Sequence, residues 1–255
     1  MTDATVYVYG VIRAGQELPA GRSGVGSPPA PLRPLPAGRL SAVVSSAPAG
    51  LRARRRDLMA HQETLLALAE DGPVLPMRFG MVSPDEETVV RRLSEEEEQH
   101  LEALERLDGQ LEMNLKVFPA EDSLADLVRE DPQIRLLHEA SRRRPGYEAS
   151  LRLGEAIATG LHRRAAVAAA EAVRRLTPRS TATAAGPEVT GCVLNTSFLV
   201  PRDAVAGFRA DAERCAGEHG AHAEMRITGP LPCFSFVPDP SRNGQPPLRA
   251  AAGPS

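Results

Sequence analysis

Gln110 to Phe118, QLEMNLKVF, alternates apolar and polar residues without a break, with Leu111, Met113, Leu115 and Val117 on one side and Glu112, Asn114 and Lys116 on the other. A period of two is that of a strand, and clean alternation is that of a strand buried on one face. The chain also has few long, wholly apolar runs of the kind that build a large parallel sheet, whose strands are covered on both faces. Helices are expected from Ser123 to Arg142, interrupted near Asp131-Pro132, and from Tyr147 to Leu176, where an Ala-rich run permits close approach to a neighbour. A strand from Glu188 to Val200, a helix from Pro201 to about Ala216 and strands over 222–228 and 232–237 complete the order. That order suits small mixed sheets with helices packed on one face, an α+β class with ferredoxin-like character in at least one domain.

The N-terminal half reads differently. Thr5 to Arg13 is rich in Val, Tyr and Ile and has nothing charged before Arg13, as in a strand covered on both faces. A long loop rich in Gly, Pro and Ser follows, then a second strand from Arg39 to Ser46. From about Arg54 the period changes to 3.6, with Leu58, His61, Leu65 and Leu68 on one stripe, and Asp71-Gly72-Pro73 stops the helix. VLPMRFGMV, Val74 to Val82, returns to extended chain. Ser83-Pro84-Asp85-Glu86 has the form of a helix start with Ser as the cap, and that helix is expected to run past a Glu95 to Glu98 charge run as far as Leu107.

At roughly 150 residues per domain, a chain of 255 residues divides into two. The boundaries are set at 1–108 for an N-terminal α+β domain and 109–238 for a ferredoxin-like domain with long helices, with 239–255 as a disordered tail. A hydrophobic fraction of 42% suffices for real cores. A net charge of -3 supplies no basic field for a dedicated nucleic-acid binder. No apolar run approaches the ~18 residues of a membrane span. No leader pattern opens the chain, and three cysteines fit a reducing compartment, so the expected location is cytoplasmic.

Candidate chemistry is sparse. GRSGVGS runs into PPAP rather than a helix, so it lacks the context of a phosphate cradle. Cys215, His219, His222 and Cys233 are metal-ligand types without the close pairing that zinc sites favour. His61 lies on an apolar stripe, the position of a satisfied core histidine, with no nucleophile in triad relation to it. The carboxylates of SPDEE and SEEEEQ read as a solvated helix face. Arg52 to Arg56, RARRR, opens a helix with positive charge that opposes the helix dipole and invites compensation by carboxylates or a partner. Neither a nucleophile motif nor a P-loop is present, so the chain reads as a binding protein without catalytic, cofactor or metal residues.

Several stretches together resemble the gas vesicle accessory proteins of the GvpL/GvpF family: VYVYGVI at Val6 to Ile12, GRLSAVVS at Gly38 to Ser45, VLPMRFGMV, LEMNLKVF, SFLV at Ser197 to Val200, and GPLPCFSFV at Gly229 to Val237. The resemblance implies a two-domain α+β molecule with a ferredoxin-like domain. It implies a non-enzymatic part in building gas vesicles, through contacts with the hydrophobic shell protein and other accessory proteins and with neither nucleic acid nor membrane. The motif positions Pro76, Arg78, Phe79, Gly80, Gly229, Pro230 and Phe236 become structural or interaction candidates. For Arg78 the favoured expectation is structural, capping helix carbonyls or pairing with a buried carboxylate, and the other is that its corner is part of the surface offered to a partner. A small-molecule-sensing ferredoxin-like regulatory domain is the alternative, and it would require a pocket with convergent polar groups.

Overall fold

The computed structural model describes residues 5–48, 50–120 and 124–237; the tail expected over 239–255 lies outside them. The chain forms two compact units, Met1–Glu112 with Pro230–Ser255, and Met113–Gly229. Both are built of small sheets packed with helices, as the α+β class requires.

In the first unit β1 (Val6–Arg13) is buried at every residue from Val6 to Ile12, which its uncharged Val/Tyr/Ile sequence demanded. It pairs antiparallel with β3 (Leu40–Ser46), which in turn pairs with β2 (Arg33–Ala37). β2 lies inside the stretch read as loop. Its Pro34 and Pro36 disguise it, yet a strand at the sheet edge tolerates the donors that proline removes. On the other side of β1 stand two short strands, β4 (Leu75–Pro76) and β5 (Val82–Ser83), both antiparallel to it. The helices are α1 (Arg55–Asp71), α2 (Glu86–Glu95) and α3 (Glu97–Leu107).

Two expectations change here. The cap of α2 is Asp85, which accepts the Thr88 amide at 2.6 Å, while Ser83 is in β5 and its hydroxyl donates to the Asp85 carbonyl. The single helix expected to Leu107 is broken at Glu96, inside the acidic run where like charges three and four apart repel. Glu97 and Glu98 then bind Arg39, so part of that run is a tether between helix and hairpin.

β6 (Gln110–Pro119) carries the chain into the second unit, where the sheet order is β7-β8-β6-β9 with β7 (Ala182–Ala185), β8 (Leu194–Pro201) and β9 (Ala223–Leu231). Helices α4 (Leu124–Glu130), α5 (Pro132–Arg143) and α6 (Tyr147–Leu176) lie between β6 and β7, and α7 (Val205–His219) lies between β8 and β9. This βαββαβ succession is the ferredoxin-like arrangement. Both sheets are antiparallel rather than mixed, although non-consecutive neighbours such as β8 and β6 show that the chain crosses over within them. β7 falls in a stretch read as loop: Ala-Thr-Ala-Ala carries no alternation to betray it. β8 begins at Leu194, since Val189 to Cys192 form a turn closed by the Cys192 amide on the Val189 carbonyl.

The core of this unit is apolar: Met113, Leu115 and Val117 from β6, Ala165, Ala168, Ala169 and Ala172 from α6, and Phe198 and Phe208 with ring centroids 5.2 Å apart. At Gly160 of α6 both α4 and α5 approach closely. A Cβ there would lie 2.9 Å from Ile134 Cδ1 and 3.0 Å from Leu127 Cδ2. The polar face of β6 is covered too, against the half-buried reading: Asn114 is 8% exposed and its amide donates to Asn195 Oδ1 and Ser197 Oγ at 2.9 and 3.1 Å.

Candidate functional site at the Val74–Val82 corner

The corner belongs to the first unit and is built on β1. Leu75 and Pro76 pair with Val11 and Gly10, the Met77 amide donates to the Tyr9 carbonyl at 2.8 Å, and the Val8 amide donates to the Met81 carbonyl at 3.0 Å. Both ends of the segment are therefore held by one strand, and residues 78–81 must turn between them. The Met81 amide closes that turn on the Arg78 carbonyl, and its third residue, Gly80, has φ 88°, a left-handed conformation that glycine adopts without steric cost.

Beneath the turn lies a closed chain of polar contacts. The buried Gly80 amide donates to the Tyr7 hydroxyl at 3.2 Å. His61 Nε2 is 2.9 Å from the Met77 carbonyl, which can only accept, so the imidazole hydrogen sits on Nε2. Nδ1 is then the acceptor, and the Tyr7 hydroxyl donates to it at 2.9 Å. Rings enclose this chain: Tyr9 stacks on His61 at 5.6 Å, Phe234 at 6.4 Å, and Phe79 meets both Tyr7 and His61 edge-on at about 6 Å. Burial pushes the Tyr7 hydroxyl well above the ordinary phenol range, raises that of Tyr9, and holds His61 below its usual 6.5, outweighing the bond to Met77. His61 is thus the satisfied, neutral core histidine that its stripe position implied.

The closing segment is anchored nearby in the same unit. Ser235 donates its amide and its hydroxyl to the buried Glu112 carboxylate, both at 2.8 Å. That pull bends Phe234–Phe236 into a 3-10 turn where a strand was expected over 232–237. Cys233 is buried, and desolvation first, then the charge of Glu112, pushes its thiol up to about 12.

Of the seven motif candidates, Pro76, Phe79 and Gly80 meet at the corner, with Pro76 and Gly80 buried and Phe79 half-buried. Arg78 does not behave as expected. It is exposed, and among the described residues its side chain caps no carbonyl and pairs with no carboxylate, because the turn aims it outward. The Gly229 carbonyl accepts from Arg209, Pro230 is exposed and Phe236 is half-buried. Sequence reasoning singled out Phe236, but Phe234 is the ring that stacks on His61. Two phenylalanines flanking one serine gave no signal for choosing between them. Tyr7 was also passed over, although a buried Tyr two residues from another in an otherwise aliphatic strand points to a paired hydroxyl.

Among the described residues no three His, Cys, Asp or Glu side chains are placed to hold a metal ion. Cys215 is instead packed in the apolar core of the second unit. No helix of the described residues is long and apolar enough to cross a membrane.

Comparison with known proteins gives a consistent result. The family described as gas vesicle synthesis protein GvpL/GvpF matches residues 5–238. Gas vesicle protein F of Streptomyces sp. (strain CB03234) is 42% identical over 237 residues, covering 91% of this chain and 99% of that protein. Gas vesicle protein L of the same strain is 33% identical over 262 residues, covering 92% and 94%. Crystal structures of GvpF from Anabaena sp. PCC7120 and from Microcystis aeruginosa superpose with TM-scores of 0.74 and 0.71 at 20% and 22% identity, each covering 92% of this chain and 99% of the other.

Proposed function

Because this chain belongs to the GvpL/GvpF family of gas vesicle synthesis proteins, we propose that it is a non-enzymatic assembly factor that binds the hydrophobic shell protein and other accessory proteins while gas vesicles form. It acts in the cytoplasm and associates with the growing vesicle. An apolar subunit needs shielding before it polymerises, and shielding requires apolar surface on the protein that provides it. The observation that carries this reading is the surface of α5 and α6, where Leu136, Tyr147 and Leu151 are 65%, 85% and 48% exposed. The outward Arg78, on a turn fixed from beneath, is the second contact point and suits an accessory protein with a carboxylate to offer.

Two measurements test the reading. Removal of the gene is expected to abolish or deform vesicles, and normal vesicles in its absence would sink the assembly role. In pull-downs with the shell protein, the Leu136→Asp, Tyr147→Asp, Leu151→Asp triple variant is expected to lose most of the captured material while keeping the wild-type melting temperature. Undiminished capture would move the shell-binding surface elsewhere.

A further inference from the structure

The arginine run at the start of α1 takes no part in the corner, yet it lines the wall of a cavity in the same unit. That cavity has a volume of about 490 Å³, inside the range of small-molecule sites, and its walls include Ser27, Pro48, Arg52, Arg54, Arg56 and Asp57. The Arg54 amide donates to the Arg52 carbonyl at 2.7 Å, a three-residue turn that folds Arg52 back toward Arg54. Arg56 follows two residues later, and all three arginines line the opening. Among the described residues of the wall, Asp57 is the one acid. It is buried, and its Oδ1 already accepts the Gly26 amide at 3.0 Å and lies 3.4 Å from Arg56. Among the described residues Arg52 and Arg54 have neither a hydrogen bond nor an ion pair through their side chains.

The cavity wall therefore carries more positive charge than the protein neutralises. Arg54 also occupies the cap position of α1 without any side-chain bond to the helix, where Ser or Asp would serve the fold better. Arg52, Arg54 and Arg56 are exposed at the mouth of the cavity and so are free to turn toward an anion seated there. We propose that this cavity is an oxyanion-binding site in which Arg52, Arg54 and Arg56 hold a phosphate or carboxylate group through charge-assisted, forked hydrogen bonds. Such a group is carried either by a small phosphorylated or carboxylated molecule or by an acidic side chain of a partner. The inference goes beyond the assembly role and does not depend on it.

The test is calorimetric titration of the full chain at fixed, low ionic strength with inorganic phosphate in one arm and hexaglutamate in the other. Saturable binding is expected in at least one arm, weakened tenfold or more in the Arg52→Ala, Arg54→Ala double variant and unchanged in Arg144→Ala, an exposed arginine of the other unit. Tighter binding of phosphate assigns the site to small phosphorylated molecules, and tighter binding of hexaglutamate assigns it to protein carboxylates. No saturable heat in either arm, or equal loss in the Arg144 variant, overturns the proposal. Circular dichroism of each variant verifies that the fold is intact.

Discussion

The two units solve the same problem, covering a small antiparallel sheet, with different interiors. The first places Tyr7, Tyr9 and His61 at the centre and satisfies each through bonds to distant parts of the chain, such as Val25, Ser45 and Met77. The second fills its main core with Met, Leu, Val, Ala and Phe, whose contacts have no direction, and keeps the Asn114–Ser197 bond on the other face of β6. An interior held by directional bonds permits few arrangements, because every donor left over is penalised, whereas an aliphatic interior asks mainly for volume. The family landmarks VYVYGVI, VLPMRFG and PCFSF all feed the first kind of interior.

Substitutions can break this contrast. Phe198→Ala in the second unit should cost the most, about 3–5 kcal/mol in denaturant unfolding, through the cavity it opens beside Phe208. Tyr7→Phe removes one oxygen, yet it leaves the Gly80 amide and His61 Nδ1 without partners and should cost about 1–3 kcal/mol. Met113→Leu, a comparable small change in the aliphatic interior, should cost under about 1.5 kcal/mol. If Tyr7→Phe proves the milder of these two, the distinction between the interiors fails.

Acid sharpens the same comparison. His61 is held below its free value of 6.5, so between its folded value and 6.5 the unfolded chain binds more protons than the folded one. Stability is then complete above 6.5 and falls as pH drops through that window. A His61→Gln variant, less stable at pH 8, should show a flatter melting temperature between pH 7 and 5. An unchanged slope would assign the acid sensitivity to other groups. Arg54→Ser should raise stability by about 1 kcal/mol by supplying the missing cap. Arg78→Ala comes last, with an effect within about 0.5 kcal/mol, since its side chain has no partner to lose among the described residues.

How much of this was legible in the sequence follows the same division. Strong periodic segments such as β1, α1, β6 and α6 could be read directly, because burial dictates their pattern. β7 and β2 could not, since Ala-Thr-Ala-Ala and Arg-Pro-Leu-Pro-Ala owe their strand form to the neighbour they pair with rather than to any pattern of their own. The site was visible as a motif but not as a mechanism of folding. Pro76, Phe79 and Gly80 could be named from the sequence. That Phe79 lies against His61 some eighteen residues earlier, and that Phe234 closes the stack from near the other end of the chain, depends on pairings no local signal records. Arg78 was misjudged because arginine after a helix commonly caps its carbonyls, and here the turn set by Gly80 points it away.

The chain leaves the first unit after Glu112 and re-enters it at Pro230. Phe234 and Ser235 can join His61 and Glu112 only once Met113–Gly229 has been spanned, and closing a floppy loop of that length costs ~4 kcal/mol of chain entropy. A second unit that has already folded removes much of that loop's freedom and so much of this cost. Maturation should therefore run inside out, with the ferredoxin-like insert forming before the Tyr–His interior is sealed. During synthesis the first unit should stay unfinished until Phe234 and Ser235 have left the ribosome. An N-terminal fragment ending at Glu112 would be arrested in that waiting state, with one face of its histidine bare.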